Sequence, residues 1–344
     1  MPDTTQDGMQ PRRRLAVLCA MSDHVRDELL TPDLHDRLEA CVDVLDTRVT
    51  SSFEDPTVRS ALGDADILLT GWGCPPVTGD VLDHAPRLRA LVHSAGTVKT
   101  FVSPEVIARI DVSTGAHINA FPVAEYTVAM IVLGAKRVFA LAHQLRTTGV
   151  HRDLDAVPPL GLRGITVGVL SASMVGRLVI ERLRGHAVRI LCHDPTVDDA
   201  ELRALGAEPV SLVELFARSQ VLTIHAPLLP QTYRLVDAHL LARLPDHAVV
   251  INTARGAIID TAALTAECRT GRLDAVLDVT HPEPLPQDHP LLHLPNVLVT
   301  PHIAGALGNE IGALGESAVA EIERLAAGQP MVHVITSAQL VTSA

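Results

Sequence analysis

The segment Gly164-Ile-Thr-Val-Gly-Val-Leu-Ser-Ala-Ser-Met-Val-Gly176 reads as a strand, a turn and the start of a helix, and Asp194 closes the following strand about twenty residues after Ser171. That spacing is the one a dinucleotide-binding unit uses: pyrophosphate rests on a helix N-terminus and an acid takes the adenosine ribose. In the G-x-G-x-x-G frame, however, Ser171 and Ser173 stand in the first two glycine positions, and only Gly176, the helix-packing glycine, is kept. A Cβ at the second position must push the pyrophosphate slightly or turn its hydroxyl toward a phosphate oxygen. On this motif alone a nucleotide site and an ordinary βαβ unit are both open readings. Downstream, Arg255 in NTARG, Glu283 in LDVTHPEP and His302 in TPHIAG each follow a short apolar run. Ligands of open α/β sheets bind outside the carboxyl ends of the strands. One such residue is commonly a surface charge or a helix cap; three in successive loops suggest a site.

Positioning them requires parallel strands joined by helices, and the chain carries that pattern. β-rich apolar runs begin at Leu15, Asp66, Arg89, Ile165, Val188, Val221, Ala248, Ala275 and Val297, alternating with helical stretches. Several lack polar alternation, as strands covered on both faces should. A helical segment from about Pro122 to Thr147, with its proline near the start, is expected to connect two α/β units. The Gly/Pro-rich stretch after it, ending at Gly164, reads as a loop or arm. A second helical segment, about Ala306 to Ala327, would return the chain to the first unit and leave the second inserted in it.

Length and composition bound the rest. The 344 residues suggest about two domains at roughly 150 residues each, and 47% hydrophobic content supplies both cores. A net charge of −12 opposes the electrostatics of nucleic-acid binding. Five scattered cysteines, Cys19, Cys41, Cys74, Cys192 and Cys268, offer neither a disulfide framework nor a metal site, and fit a reducing cytoplasm. Arg12, Arg13 and Arg14 read as a solvated tail before a buried first strand rather than as a secretory signal. The most apolar later stretch, Thr127 to Ala135, is too short to span a bilayer, so no membrane partner is expected.

Several motifs in order make a resemblance specific. AEYTVAMIVLGAKR from Ala124, HAPLLPQT from His225, NTARG, LDVTHPEPLP and TPHIAG resemble the segments of the D-isomer-specific 2-hydroxyacid dehydrogenase family, over roughly Ala65 to Val334. The resemblance implies an α/β fold of two Rossmann-like domains with parallel sheets. The dinucleotide-binding domain (120–303) would be inserted into the substrate domain (1–119 and 304–344). It also implies a homodimer and NAD-linked interconversion of a 2-keto acid and a D-2-hydroxy acid.

Carried over residue by residue, the resemblance implies that Arg255 holds the substrate carboxylate and polarises the keto oxygen. His302 would exchange the proton on that oxygen, and Glu283 would stabilise protonated His302. An Arg255–Glu283 salt bridge and a helix-end cap by His302 are the structural alternatives. For the cofactor, Ser173, Met174 and Val175 would face the pyrophosphate and Asp194 the ribose. Ala226, Thr253, Asp278 and Gly305 would line the remainder of the site. Pro195 and Thr196 follow Asp194, so no arginine greets a 2′-phosphate and NAD is favoured over NADP. For the substrate, Gly96, Thr97 and Val98 occupy the family's carboxylate-binding loop. Val98 replaces its second glycine, and Gly96 is expected to supply the bend. Trp72, between Gly71 and Gly73, stands where phosphoglycerate dehydrogenases have a phosphate-binding arginine, which disfavours phosphoglycerate unless arginines such as Arg146 or Arg152 substitute. A lone tryptophan is more often core, yet the flanking glycines point to a mobile loop. The competing reading is an NADH-sensing binding protein or corepressor-type relative without turnover. A formate dehydrogenase is disfavoured because those relatives pair the histidine with glutamine, where this chain has Glu283.

Overall fold

The computed structural model of the chain describes residues 13–151 and 160–342; Arg12 and Arg152 lie outside them. The chain divides into two compact units, the first formed by residues up to 115 together with Ile311–Leu340, the second by Ala116–Glu310. The crossings fall at 115/116 and 310/311 rather than at the expected 119/120 and 303/304. One long helix, Ala116–Ala135, belongs wholly to the second unit, as does the backbone held by Asp278 and Asn119 at residues 303–306.

The first unit is a five-stranded parallel sheet built from β1 (Ala16–Ala20), β2 (Asp43–Val49), β3 (Ile67–Thr70), β4 (Ala90–His93) and β5 (Asp111–Thr114), in the order β2-β1-β3-β4-β5. The second carries β6 (Thr166–Leu170), β7 (Arg189–His193), β8 (Glu208–Pro209), β9 (Val221–Ile224), β10 (Val249–Asn252), β11 (Asp274–Leu277) and β12 (Val297–Val299), in the order β12-β11-β10-β9-β6-β7-β8. All pairings in both sheets are parallel. The strand order of the second sheet reverses between β6 and β9, the kind of switch point at which ligands bind. Ser171 follows β6 and Ala226 follows β9.

Both faces of the second sheet are buried, which is why its strands show no polar alternation. Leu170, Leu222, Ile224, Val250 and Leu277 enter one core, while Val167, Val169, Val221, Val249, Ile251 and Val276 enter the other. Three strands escaped the sequence reading: β2, β5 and β8. Each lies at a sheet edge, where one flank is unpaired and polar residues such as Asp43, Arg48, Asp111 and Glu208 are tolerated, so no continuous apolar run marks them.

Three further expectations are corrected. The connecting helix starts at Ala116, so Pro122 is internal to it. It ends at Ala135, and a second helix, Val138–Thr148, follows a break at Arg137, a non-glycine residue with φ 54°. With 20 residues the first helix is long and apolar enough to cross a membrane by length and composition. One side of it nonetheless packs into the second unit, burying Ala120, Val123, Ala124, Thr127, Ile131, Gly134 and Ala135. The N-terminal arginines are not a free tail in their described part. Arg13 pairs with Asp66 at 2.6 Å, and Arg14 donates to the carbonyls of Glu39 and Val42.

Candidate active site

In the second unit, Arg255, Glu283 and His302 stand in the loops after β10, β11 and β12. Close backbone approach sets the first two loops against each other: a Cβ on Gly256 would collide with the Thr280 backbone. Asn252 shapes the Arg255 turn, donating from Nδ2 to the Arg255 carbonyl (2.9 Å) and accepting from the Ala254 amide (3.0 Å). Arg255 donates to the Ala254 carbonyl at 2.6 Å. Burial lowers its pKa and the charge of Glu283 partly restores it. A guanidinium starts so far above neutrality that it stays charged.

His302 sits at φ 56°, in the left-handed region, and its Nδ1 lies 2.7 Å from Glu283 Oε1. Glu283 therefore pairs with His302 rather than Arg255, and the imidazole is engaged by a carboxylate rather than capping a helix. The bond through Nδ1 leaves Nε2 as the ring's other proton-carrying edge. The backbone around His302 is fixed by Asp278, which is buried. Its Oδ1 accepts from Thr300 Oγ1 (2.6 Å) and the Ile303 amide (2.8 Å), its Oδ2 from the Ala304 amide (2.9 Å), and its carbonyl from the His302 amide (3.0 Å). The Asp278 carboxylate is thus turned into the loop that carries His302, a position that its expected role beside the nicotinamide did not anticipate.

The nucleotide unit has the form expected of it with altered details. Helix Met174–Leu183 begins at Ser173, whose Oγ accepts from the Gly176 amide at 3.4 Å. The oxygen caps the helix while the hydroxyl proton remains available, and the amides of Met174 and Val175 have no partner within the helix. A Cβ on Gly176 would strike the Ser171 carbonyl, so this glycine is required for packing. Ser171 adopts φ 79° with a side chain in place. Its Oγ donates to Asp194 Oδ2 (2.8 Å), which also accepts from the Ala172 amide (2.9 Å), while Oδ1 accepts from the amide (2.8 Å) and hydroxyl (2.7 Å) of Thr196. Burial raises the Asp194 pKa, but these donors outweigh it and hold the group below its ordinary value. An open helix N-terminus, a glycine that a Cβ would block and an ionised acid at the next strand end together fit a dinucleotide. The methyl of Ala226 belongs to the core. Thr253, also buried, bonds to Thr127, and Gly305 lies against Asn119.

Sequence reasoning missed Asn119, Tyr126 and Thr127 on helix Ala116–Ala135. Asn119 Oδ1 accepts from the Ala306 amide (2.9 Å), and the Tyr126 hydroxyl lies 2.8 Å from Thr300 Oγ1. The helix also carries His117 and Glu125, so polarity alone did not single these three residues out. His225 was passed over as part of a motif. It is fully buried against Thr223 (2.9 Å), and burial lowers its pKa to about 3, which keeps it neutral.

In the first unit, Trp72 stands at the β1/β3 switch with 39% of its surface exposed, so it is not core. Nor is its turn loose: the Trp72 carbonyl accepts from the Ser22 amide (3.1 Å), and Gly71 packs against Met21 and Val25. The Val98 side chain is 1% exposed in the first core, which leaves only its backbone to face a substrate. Neither Val98 nor Gly96 has positive φ, and the chain bends through residues 94–96 as expected, with Gly96 and Thr97 partly exposed.

A family model described as "D-isomer specific 2-hydroxyacid dehydrogenase, NAD binding domain" matches residues 128–304. The chain is similar to a glyoxylate reductase of Aeropyrum pernix, with 33% identity over 281 residues, covering 78% of this chain and 83% of the relative. It is also similar to a D-3-phosphoglycerate dehydrogenase of Methanocaldococcus jannaschii, with 27% identity over 311 residues covering 89% of this chain. The chain spans 59% of that relative's length. The solved structure of the TT0316 protein from Thermus thermophilus superposes with a TM-score of 0.75 at 28% identity, covering 94% of this chain and 100% of the other.

Proposed function

The chain belongs to the D-isomer-specific 2-hydroxyacid dehydrogenase family, and from that membership we propose that it interconverts a 2-keto acid and a D-2-hydroxy acid with NAD, as a cytoplasmic homodimer. The observation that carries this reading is the 2.7 Å pairing of His302 Nδ1 with Glu283 in a loop pinned by Asp278. When bound, the nicotinamide supplies or accepts the hydride. His302 gives the proton to the keto oxygen through Nε2 in reduction and takes it back in oxidation, with Glu283 stabilising the imidazolium. Arg255 binds the substrate carboxylate through its planar donor fork, strengthened by its burial. Met174 and Val175 offer amides to the pyrophosphate, and the Ser173 hydroxyl proton adds a donor. Asp194 is assigned to the ribose, where an anion without a neighbouring arginine favours NADH over NADPH.

On the substrate side, the half-exposed Trp72 supports an apolar or aromatic side chain on the 2-keto acid, since an indole offers phosphate a single neutral donor. Gly96 and Thr97 are proposed to contribute backbone donors to the carboxylate.

NADH oxidation against a panel of 2-keto acids tests this. We expect turnover, with apolar and aromatic acids ahead of 3-phosphohydroxypyruvate, and a loss of about 10² to 10⁴ in His302→Ala at nearly unchanged NADH affinity. Full activity without His302 would sink the mechanism. Tight NADH binding without turnover of any acid would favour the NADH-sensing reading instead.

A further inference from the structure

Helix Ala116–Ala135 touches both loops to which the proposed chemistry is assigned. Thr300 Oγ1 has one proton and gives it to Asp278 (2.6 Å), so Tyr126 is the donor in its 2.8 Å bond to Thr300. Seven residues earlier, two helical turns and about 10 Å along the axis, Asn119 holds the Ala306 amide (2.9 Å). The backbone from Thr300 to Ala306 is therefore gripped near both ends from one helix face, with His302 between the grips. The adjacent residue, Thr127, donates to the Val123 carbonyl (2.7 Å), so Thr253 must donate to Thr127 (2.9 Å). Thr253 is two residues from Arg255. The Thr127–Thr253 pair is buried, and an aliphatic pair of the same shape would be nearly neutral for stability.

We infer that Tyr126 and Thr127 are positioning residues, one turn of one helix fixing the spacing between His302 and Arg255. The inference rests on the roles proposed above for those two residues. A displacement of the order of 1 Å in such a pair can cost up to about a hundredfold in rate. Burial raises the Tyr126 pKa, which keeps the phenol protonated and able to donate.

The test uses the whole chain with Tyr126→Phe, Thr127→Val and Thr127→Ser, with Thr127→Ala in reserve if the valine variant does not fold. Tyr126→Phe should lower kcat for 2-keto acid reduction roughly tenfold or more with NADH affinity unchanged, and should speed hydrogen exchange at the Ile303 and Ala304 amides. Thr127→Val should chiefly raise the KM for the keto acid, and Thr127→Ser should restore it. Melting temperatures that shift while kcat, KM and exchange stay within about twofold of the parent would overturn the inference. His302→Ala serves as the control: full activity there refutes the mechanism itself, whereas a dead His302→Ala beside unaffected Tyr126 and Thr127 variants refutes the positioning role alone. The exchange measurement needs no substrate and stands whichever way the control falls.

Discussion

Ser171 carries a side chain where the backbone turns through φ 79°, a conformation that costs a non-glycine residue roughly 1–2 kcal/mol. Its hydroxyl occupies Asp194, whose two oxygens accept four hydrogen bonds within the chain, about as many as a carboxylate has lone-pair sites. In the proposed binding mode, ribose hydroxyls reaching that acid would have to displace one of these donors. Ser171→Gly removes the strain and frees one acceptor, so NADH should bind several-fold more tightly in a fluorescence titration while its lead over NADPH persists. Weaker binding would mean that the hydroxyl instead orients the acid. The same substitution makes a pH prediction. Because Asp194 is held below its ordinary value, its ionised form stabilises the fold. That contribution is present above the unfolded-chain value and is lost as pH falls through the depressed native one. With one donor removed the native value rises, so acid unfolding of Ser171→Gly should begin at a higher pH than in the parent.

At the scale of elements, the break between helices Ala116–Ala135 and Val138–Thr148 is fastened by Arg137, almost fully buried, whose guanidinium donates to Asp274 at 2.7 Å. Asp274 begins β11, at the end of the strand opposite to the loop that carries Glu283. The pair should therefore govern stability and not turnover. Asp274→Asn strands a buried cation and should cost about 3–5 kcal/mol, whereas the double variant Arg137→Met, Asp274→Leu should come close to the parent. Urea midpoints measure both, with kcat expected to change in neither. Arg137 also marks where sequence reading failed: its left-handed turn has no glycine to announce it, and Pro122 imitates a helix start from inside the helix. Interior strands were legible because two buried faces leave an unbroken apolar run, and the apolar edge strand β12 was read as well; the edge strands β2, β5 and β8 were not, because their charges erase it. The catalytic candidates were legible from their motifs. Asn119, Tyr126 and Thr127 were not, since their meaning lies in partners more than a hundred residues away in the chain, and no spacing rule reaches that far.

For the whole molecule, the pair of helices at 116–148 leaves Phe121, Val138 and Leu145 exposed, and Val150 follows just beyond. These exposed apolar side chains are where the proposed homodimer is expected to bury surface. Light scattering should give twice the chain mass, and Leu145→Glu should halve it while leaving the melting temperature of the isolated chain nearly unchanged. A parent that weighs as one chain would remove the dimer from the proposal.

The insertion of the second unit into the first also dictates an order of events on the ribosome. Helix Ile311–Ala326 supplies Ile311, Leu314, Ala318, Val319 and Ile322 to the first unit, yet it is translated only after the whole of the second. At roughly 5–20 residues per second, the intervening two hundred or so residues take some ten to forty seconds. Throughout that interval the β1–β5 sheet has been synthesised but lacks one of its covering helices, while the second unit can close as soon as Glu310 clears the exit tunnel. The nascent chain thus completes its second unit first, and the first unit, whose strands are translated earlier, is the one that must wait, with apolar surface that a chaperone would recognise.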